Sequence, residues 1–310
     1  MNDGAGRAMR LPMFDAPEGW ADDDHAEALE AYLKSPPEGW PIPAVGAARD
    51  FFEQAFAPVA PVPAAALLTG YYEPELEGAL ARSDRFAVPL HASPPGWSEG
   101  RPWHSRAEIM AGDLLAGHEI VWLETPIEAF LAQVQGSVRV RLAKGGTLRL
   151  GFAGKNGHPY RSIGAELVRR GAVSQDAISA QAIRAWCRDN PGGVTGLLSH
   201  NPSYVFFRQL DLPDAAGPVG AAGCALYPLR SLAVDPAHIP LGAPVWVESH
   251  GTERLRRLMI AQDTGSAIKG PGRGDVFFGS GSGSGAGERA GRMREPGRLT
   301  VLLPRKGMPG

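Results

Sequence analysis

The stretch after Phe207 constrains the fold more than any other. Short β-like runs recur there at 225–226, 244–247, 257–261, 276–278 and 299–303, separated by Gly, Pro and Asp. No helical pattern of 10–15 residues lies between them. Parallel α/β folds need such a helix after each strand, so a doubly wound sheet is disfavoured and a small closed barrel fits. Composition agrees. The chain has 40 glycines and 28 prolines in 310 residues. That is about a fifth, rich in turns but below the level of low-complexity disorder. With 44% apolar residues there is ample material for a core, and the length suggests about two domains.

Thirty-one basic and 33 acidic side chains leave a net charge of −2. A near-neutral chain lacks the basic field that drives general nucleic-acid binding, and no such partner is expected. The opening MNDGAGRAMRLPMFDAPEGW shows no apolar core of a secretory leader. No apolar run approaches the length of a membrane span. Cys187 and Cys224 fit no metal-binding or redox spacing and read as two separate thiols, with one disulfide between them the open alternative.

Helical periodicity appears at 22–34 and 45–56. The second puts Phe51, Phe52 and Phe56 on one face and is stopped by Pro58, Pro61 and Pro63. Residues 64–72 read as a strand. Ser105-Arg106-Ala107-Glu108 and Thr125-Pro126-Ile127-Glu128 both read as capping boxes opening helices, the second of them reaching about Val134. Runs 137–142 and 147–152 flank Lys144-Gly145-Gly146 as a hairpin. Helices are expected at 162–170, ended by Gly171, and at 174–188.

Several familiar signatures fail. Gly285-Ala286-Gly287-Glu288-Arg289-Ala290 has dinucleotide-fingerprint spacing, but the chain ends too soon to complete a βαβ unit. There is no H-E-x-x-H and no G-x-S-x-G, so neither a metal nor a serine-hydrolase site is expected, and no cofactor. By composition alone the run from Gly279 to Gly285 resembles a flexible linker.

Four segments are dense in site-type residues: 69–74, 133–137, 154–164, and 261–270 continuing to 274–279. In the last, Asp263 ends one β-like run and Asp275 begins another, with a glycine-rich turn between them. A carboxyl group that donates a proton near neutrality needs an apolar wall to raise its pKa, and Val276, Phe277 and Phe278 supply one beside Asp275. Asp263 would hold a partner charge or a hydrogen-bond network. An Asp in a glycine turn ordinarily just stabilises the turn, so the pair alone proves little. Tyr71, Tyr72, Gln135, Asn156, Tyr160 and Arg161 form the list of rings, amides and guanidinium that a sugar groove uses. Tyr71 and Tyr72 straddle a strand, so one of them is expected in the core.

The phrases TGYYEP, VQGS, AGKNGHPYRSIG, NPSYVFFR, SLAVDPAHIPLGAPVWVE, AQDTGSAIKG, GDVFFGSG and AGERAGRM stand in this order over roughly 65–303. Together they resemble the membrane-bound lytic murein transglycosylase A family. The C-terminal part is also similar to a wider domain named for three aspartates, here Asp235, Asp263 and Asp275. The resemblance implies a mainly β chain with added α (α+β), a double-psi β-barrel carrying a smaller β-rich inserted domain. Residues 1–75 plus 211–310 would form the barrel and 76–210 the insert. It implies non-hydrolytic cleavage of the β-1,4 bond between N-acetylmuramic acid and N-acetylglucosamine, a lyase reaction leaving 1,6-anhydromuramoyl ends. Asp275 would act as acid then base, with Asp263 orienting it. Glycan contacts would fall on Thr69, Gly70, Tyr71, Tyr72, Gln135, Gly136, Ser137, Asn156, Tyr160, Arg161, Asp235 and Lys269.

Peptidoglycan strands are then the expected partner of a monomer, with cell-wall synthesis and hydrolysis complexes as further candidates. A periplasmic or outer-membrane-associated site is implied by the resemblance alone, since the family's lipidated Cys is not visible here. Ser266 stands where the family often has Gly. The glycine run at 279–285 becomes a loop after the catalytic strand. An inverting hydrolase using the Asp275–Asp263 pair and a non-catalytic glycan-binding module are the competing readings.

Overall fold

In the computed structural model, residues 14–44, 46–60, 65–281 and 285–305 are described. Pro61, Pro63 and part of the glycine run at 279–285 therefore lie outside the described residues. Helix α1 (His25–Tyr32) is capped by Asp24, whose side chain accepts from the Glu27 amide. Helix α2 (Ala48–Ala55) runs directly into strand β1 (Phe56–Val59). Phe52 and Phe56 are fully buried beside Trp20 and Tyr32, and Phe51 packs at their edge, as the aromatic spacing predicts. Strand β2 (Ala66–Glu73) follows.

The chain then leaves for a second unit. Its elements are β3 (Glu75–Ala79), β4 (Val88–His91), α3 (Arg106–Ala111), β5 (Glu119–Leu123), α4 (Pro126–Gln135), β6 (Ser137–Leu142) and β7 (Thr147–Lys155), then α5 (Ile163–Arg169), α6 (Ala180–Asp189), α7 (Val194–Leu198) and β8 (Val205–Gln209). On its return it adds β9 (Ser231–Val234), β10 (Pro244–Ser249), β11 (Arg256–Asp263), β12 (Arg273–Ser280), α8 (Ala286–Arg292) and β13 (Arg294–Pro304).

One sheet has the order β1-β13-β10-β11-β9-β12-β2, and an extra β13–β2 pairing closes it into a barrel. β2 with β12 and β9 with β11 are parallel; the other pairs are antiparallel. Closure leaves no open edge between β2 and β13. Strand alternation sends Leu68, Leu232, Val234, Val276 and Val301 inward. Trp246, Leu258, Ile260 and Leu302 point outward and are covered by α1 and α2.

The second sheet, order β4-β5-β3-β6-β7-β8, holds the elements of the inserted unit. Its core joins Leu90, Val121, Val138 and Leu150 to Ala129 and Ala132 of α4.

Local differences from the sequence reading have simple causes. The helix expected at 174–188 starts only at Ala180, where the Ser179 hydroxyl accepts from the Ala182 amide. The run 225–226 forms no strand, only a bridge between Val219 and Ala225. The α4 capping box is half made. Thr125 caps the Glu128 amide, but the Glu128 carboxylate turns to Arg184 at 2.6 Å and 3.0 Å. Asp275 lies inside β12 rather than ahead of it, because pairing with β2 already begins at Arg273.

Both crossings between the units are gripped by one carboxylate. Glu73 is fully buried at the end of β2. It accepts from Arg139 Nε at 2.6 Å and from Arg149 Nη2 at 3.3 Å. The same arginines donate to the carbonyls of Pro213, Asp214 and Ala216 on the returning chain, each at 2.7 Å. Removing one partner of a buried ionic network strands the others without compensation. Glu73→Gln is expected to destabilise the protein by about 3 kcal/mol in urea unfolding, against well under 1 kcal/mol for the exposed Glu77→Gln.

Candidate active site

Four barrel strands place one rung of side chains on the outer wall. Asp263 of β11 pairs with Ala233 of β9, Ala233 with Asp275 of β12, and Asp275 with Thr69 of β2. Residues on one rung of a pleated sheet face the same way. Their neighbours Leu68, Leu232 and Val276 face inward, so this rung faces out. A bulge between Ala261 and Asp263 brings Asp263, not Gln262, into register. The carboxylates thus stand two strands apart with only a methyl group between them.

A relay fixes the state of Asp275. Arg273, two residues earlier on the same face, donates from Nη2 to Thr69 Oγ1 at 3.1 Å. A guanidinium can only donate. The Thr69 hydroxyl proton therefore turns to Asp275 Oδ1, at 2.5 Å. Oδ1 is held as an acceptor, so any proton on this carboxyl sits on Oδ2. Burial pushes the Asp275 carboxyl up to about 6, with the Asp263 charge adding to the rise, while the Thr69 hydrogen bond and Arg273 pull against it.

Asp263 is differently placed. Its Oδ2 accepts from the Tyr71 hydroxyl at 2.8 Å, and its Oδ1 from the amides of Thr264 at 2.9 Å and Ala221 at 3.0 Å. Both oxygens are committed. Burial raises its pKa, against the pull of those donors. Tyr71 stacks on Phe277, ring centres 5.3 Å apart, and burial holds its phenol protonated.

The rung forms the floor of a groove of about 290 Å3 between the units. The loop from Thr264 to Ile268 borders it on the barrel side. Gln133, Gln135, Tyr160, Asn201, Ser203 and Arg106 border it on the other. Gln135 also accepts from the Tyr72 amide at 3.1 Å, tying α4 to β2. Lys155 of the insert donates to Ser266 of the barrel loop at 3.2 Å.

Comparison with known proteins now has a geometry to meet. The MltA specific insert domain matches residues 67–208, and the 3D domain matches 230–303. A membrane-bound lytic murein transglycosylase from Agrobacterium tumefaciens is similar in structure. Its TM-score is 0.79 at 32% identity, covering 94% of this chain and 96% of that one. The chain belongs to the lytic murein transglycosylase A family. The Escherichia coli K12 enzyme of that name is 38% identical over 246 residues, 76% of this chain and 64% of its own length. This chain thus spans slightly under two thirds of that relative. E. coli MltA with bound chitohexaose has a TM-score of 0.77 at 31% identity, covering 95% of this chain and 93% of that one.

Within this member of the transglycosylase A family, the structure gathers Thr69, Gly70, Tyr71, Gln135, Tyr160, Asp263 and Asp275 at the groove. Gly70 is there for packing as well: a Cβ would fall 2.6 Å from the Phe278 ring and 2.8 Å from Ala290 of α8.

The other expected contacts stand away from the groove lining. Tyr72 is the inward member of its pair and packs on the barrel core. Asn156 is fully buried and spends its side chain on the carbonyls of His104 and Pro202 and the amide of Tyr204. Gly136 ends α4 in the left-handed conformation, φ 78°, and Ser137 is buried at the start of β6. Arg161 is exposed outside the groove, where its backbone amide donates to Asn201. Asp235 also lies off the groove. It accepts from the Gly270 amide at 2.8 Å and pairs with exposed Lys269 at 3.8 Å, holding the turn before β12.

Arg273 and Arg106 were missed as site residues, and Gln133 stood out only as part of the segment 133–137. Strand alternation from Asp275 finds Arg273. The capping box around Arg106 drew attention to the helix start alone. Among the described residues no three His, Cys, Asp or Glu cluster as a metal site, and both cysteines are free.

Because the folded carboxyl of Asp275 holds its proton to about pH 6, against 3.8 ordinarily, its ionisation costs stability as pH rises from 3.8 through 6. Asp275→Asn is therefore expected to be more stable than the parent by about 3 kcal/mol at pH 7.5 and indistinguishable near pH 3.5. Calorimetry across that range checks it. A pH-independent difference would contradict it.

Proposed function

We propose that this chain is a lytic transglycosylase that cleaves the β-1,4 bond between N-acetylmuramic acid and N-acetylglucosamine in peptidoglycan and leaves 1,6-anhydromuramoyl ends. The observation that carries the reading is the relay from Arg273 through Thr69 to Asp275, which leaves Oδ2 as the position for a transferable proton. In the first step Asp275 gives that proton to the glycosidic oxygen as its bond to muramoyl C1 breaks. Positive charge develops at C1. Ionised Asp275 then takes the proton from the C6 hydroxyl, and O6 closes on C1. The carboxyl is restored, and no water is consumed. One residue serves both steps because the leaving oxygen and the C6 hydroxyl lie on the same face of the sugar. Membership of the transglycosylase A family supports this reading, as does the chitohexaose bound to the similar E. coli structure.

Asp263 acts in this scheme as a positioning residue. Three donors take up most of the acceptor capacity of its two oxygens, and Oδ2 is engaged by the Tyr71 hydroxyl, which disfavours it as the base of an inverting hydrolase. The proposal takes residues 76–210 as the inserted half of the groove, and Thr69, Tyr71, Gln135 and Tyr160 as its sugar contacts. It also takes the chain to act as a monomer in the periplasm or at the outer membrane. Curated relatives are named membrane-bound, and among the described residues no helix is long and apolar enough to cross a membrane.

Two measurements test the chemistry. Mass spectrometry of muropeptides released from sacculi is expected to give anhydro ends from the parent and a loss of at least about 1000-fold for Asp275→Asn. Reducing ends would identify a hydrolase, and sacculus binding without release a binding module. Activity that needs protonated Asp275 falls as pH rises through about 6. Thr69→Val removes the hydrogen bond that lowers this pKa, so the alkaline limb is expected to move up by about one unit. An unmoved limb would assign it to another group.

A further inference from the structure

A second cavity, of about 430 Å3, lies within the inserted unit between α3, α4, β4 and β5. It adjoins the groove along Arg106 and Gln133, which line both. Its volume is in the range of small-molecule sites. Arg106 is only 4% exposed. Its Nε donates to the Asn201 carbonyl, and its Nη2 to Gln133 Oε1 and the Ser203 carbonyl, at 3.2, 2.6 and 2.7 Å. All three acceptors are neutral. Among the described residues no carboxylate pairs with this guanidinium, and its Nη1 donates to no protein atom. The Phe130 and Tyr204 rings sit 4.6 Å and 5.0 Å from it and fix its plane.

A buried, uncompensated cation is costly unless a bound anion completes it. Arginine's fork is shaped for a carboxylate. Away from the groove the cavity changes sign. Glu119 and Asp113 line it there, with Arg82 over Trp122. Its remaining titratable side chain, His91, is buried against the Tyr204 hydroxyl, and burial pushes its pKa down to about 4. Ile109, Leu115, Val88 and Met110 supply apolar walls. The cavity therefore suits a short amphipathic peptide with a carboxylate near one end and an ammonium near the other.

Resting on the glycan-strand reading above, we propose that this cavity receives the peptide stem of the muramoyl residue. Arg106 takes a stem carboxylate, and Glu119 with Asp113 takes the ammonium of its diamino acid. The lactyl group links stem to sugar, and Arg106 and Gln133, which line both the groove and this cavity, mark where the stem of a muramoyl unit bound over Asp275 would pass from one to the other. The cavity then distinguishes stem-bearing strands from bare ones, a preference the catalytic rung cannot supply.

The test compares glycan strands carrying stems with strands stripped by an amidase. The kcat/KM for anhydro-product release is expected to be about tenfold higher on stem-bearing strands, the worth of one charge-assisted hydrogen bond. Glu119→Gln and Arg106→Gln are each expected to bring that ratio towards one. Among the described residues Glu119 holds only the Gly117 amide, so its variant serves if Arg106→Gln fails to fold. Independently, the parent protein with 13C-labelled methionine methyls is titrated with the free tripeptide L-alanyl-γ-D-glutamyl-diaminopimelate. The Met110 signal, assigned with Met110→Leu, is expected to shift. Equal kcat/KM on both strands, or an unmoved Met110 signal, would overturn the proposal. Absence of anhydro product from both strands would overturn the reaction reading instead, leaving the titration, which needs no turnover, to decide the pocket.

Discussion

An Arg–Thr–Asp relay on the outside of a closed barrel sets what this protein can do. A carboxyl group on an ordinary barrel surface would be ionised and hydrated. Here Asp275 is desolvated by burial and held by Thr69, whose own proton is steered by Arg273. The donor–acceptor order is forced, because a guanidinium cannot accept. Thr69 and Asp275 are paired by the sheet itself, with 206 residues between them in sequence. Ala233 between the two carboxylates matters for what it lacks: a larger side chain there would fill the space above the rung.

The second unit has to be held against that rung, and the hold is polar. Glu73, Arg139 and Arg149 lock the outgoing and returning crossings to each other. Gln135 reaches β2 from the end of α4, and Lys155 reaches the barrel loop at Ser266. Buried ionic networks contribute little net stability but tolerate few alternative geometries. That suits a junction whose angle sets the width of a groove.

Much of this was legible beforehand where sequence spacing controls the outcome. The aromatic spacing in 51–56, the capping residues Ser105 and Thr125, and the hairpin around Gly145 all act locally, and all formed. The resemblance supplied the barrel that local patterns could only suggest. What stayed hidden depended on distant partners. Asn156 looks like a sugar-binding amide until Tyr204, His104 and Pro202 consume it. Glu128 looks like a capping residue until Arg184 arrives from 56 positions away. Arg106 is one arginine among many in sequence. Its lack of a counter-charge is a property of the assembled wall.

Strand β2 joins residues far apart in synthesis. Its Thr69 pairs on one side with Asp275 and on the other with Arg294 of the last strand. The inserted sheet needs nothing beyond Gln209 and can form early. The barrel cannot close until β13 is made, and neither the relay nor the groove floor exists before then. Long-range pairing of this kind is slow and comes late. A growing or truncated chain therefore carries one finished half of the groove without its floor, so the order of translation itself leaves the relay unmade until β13 is in place.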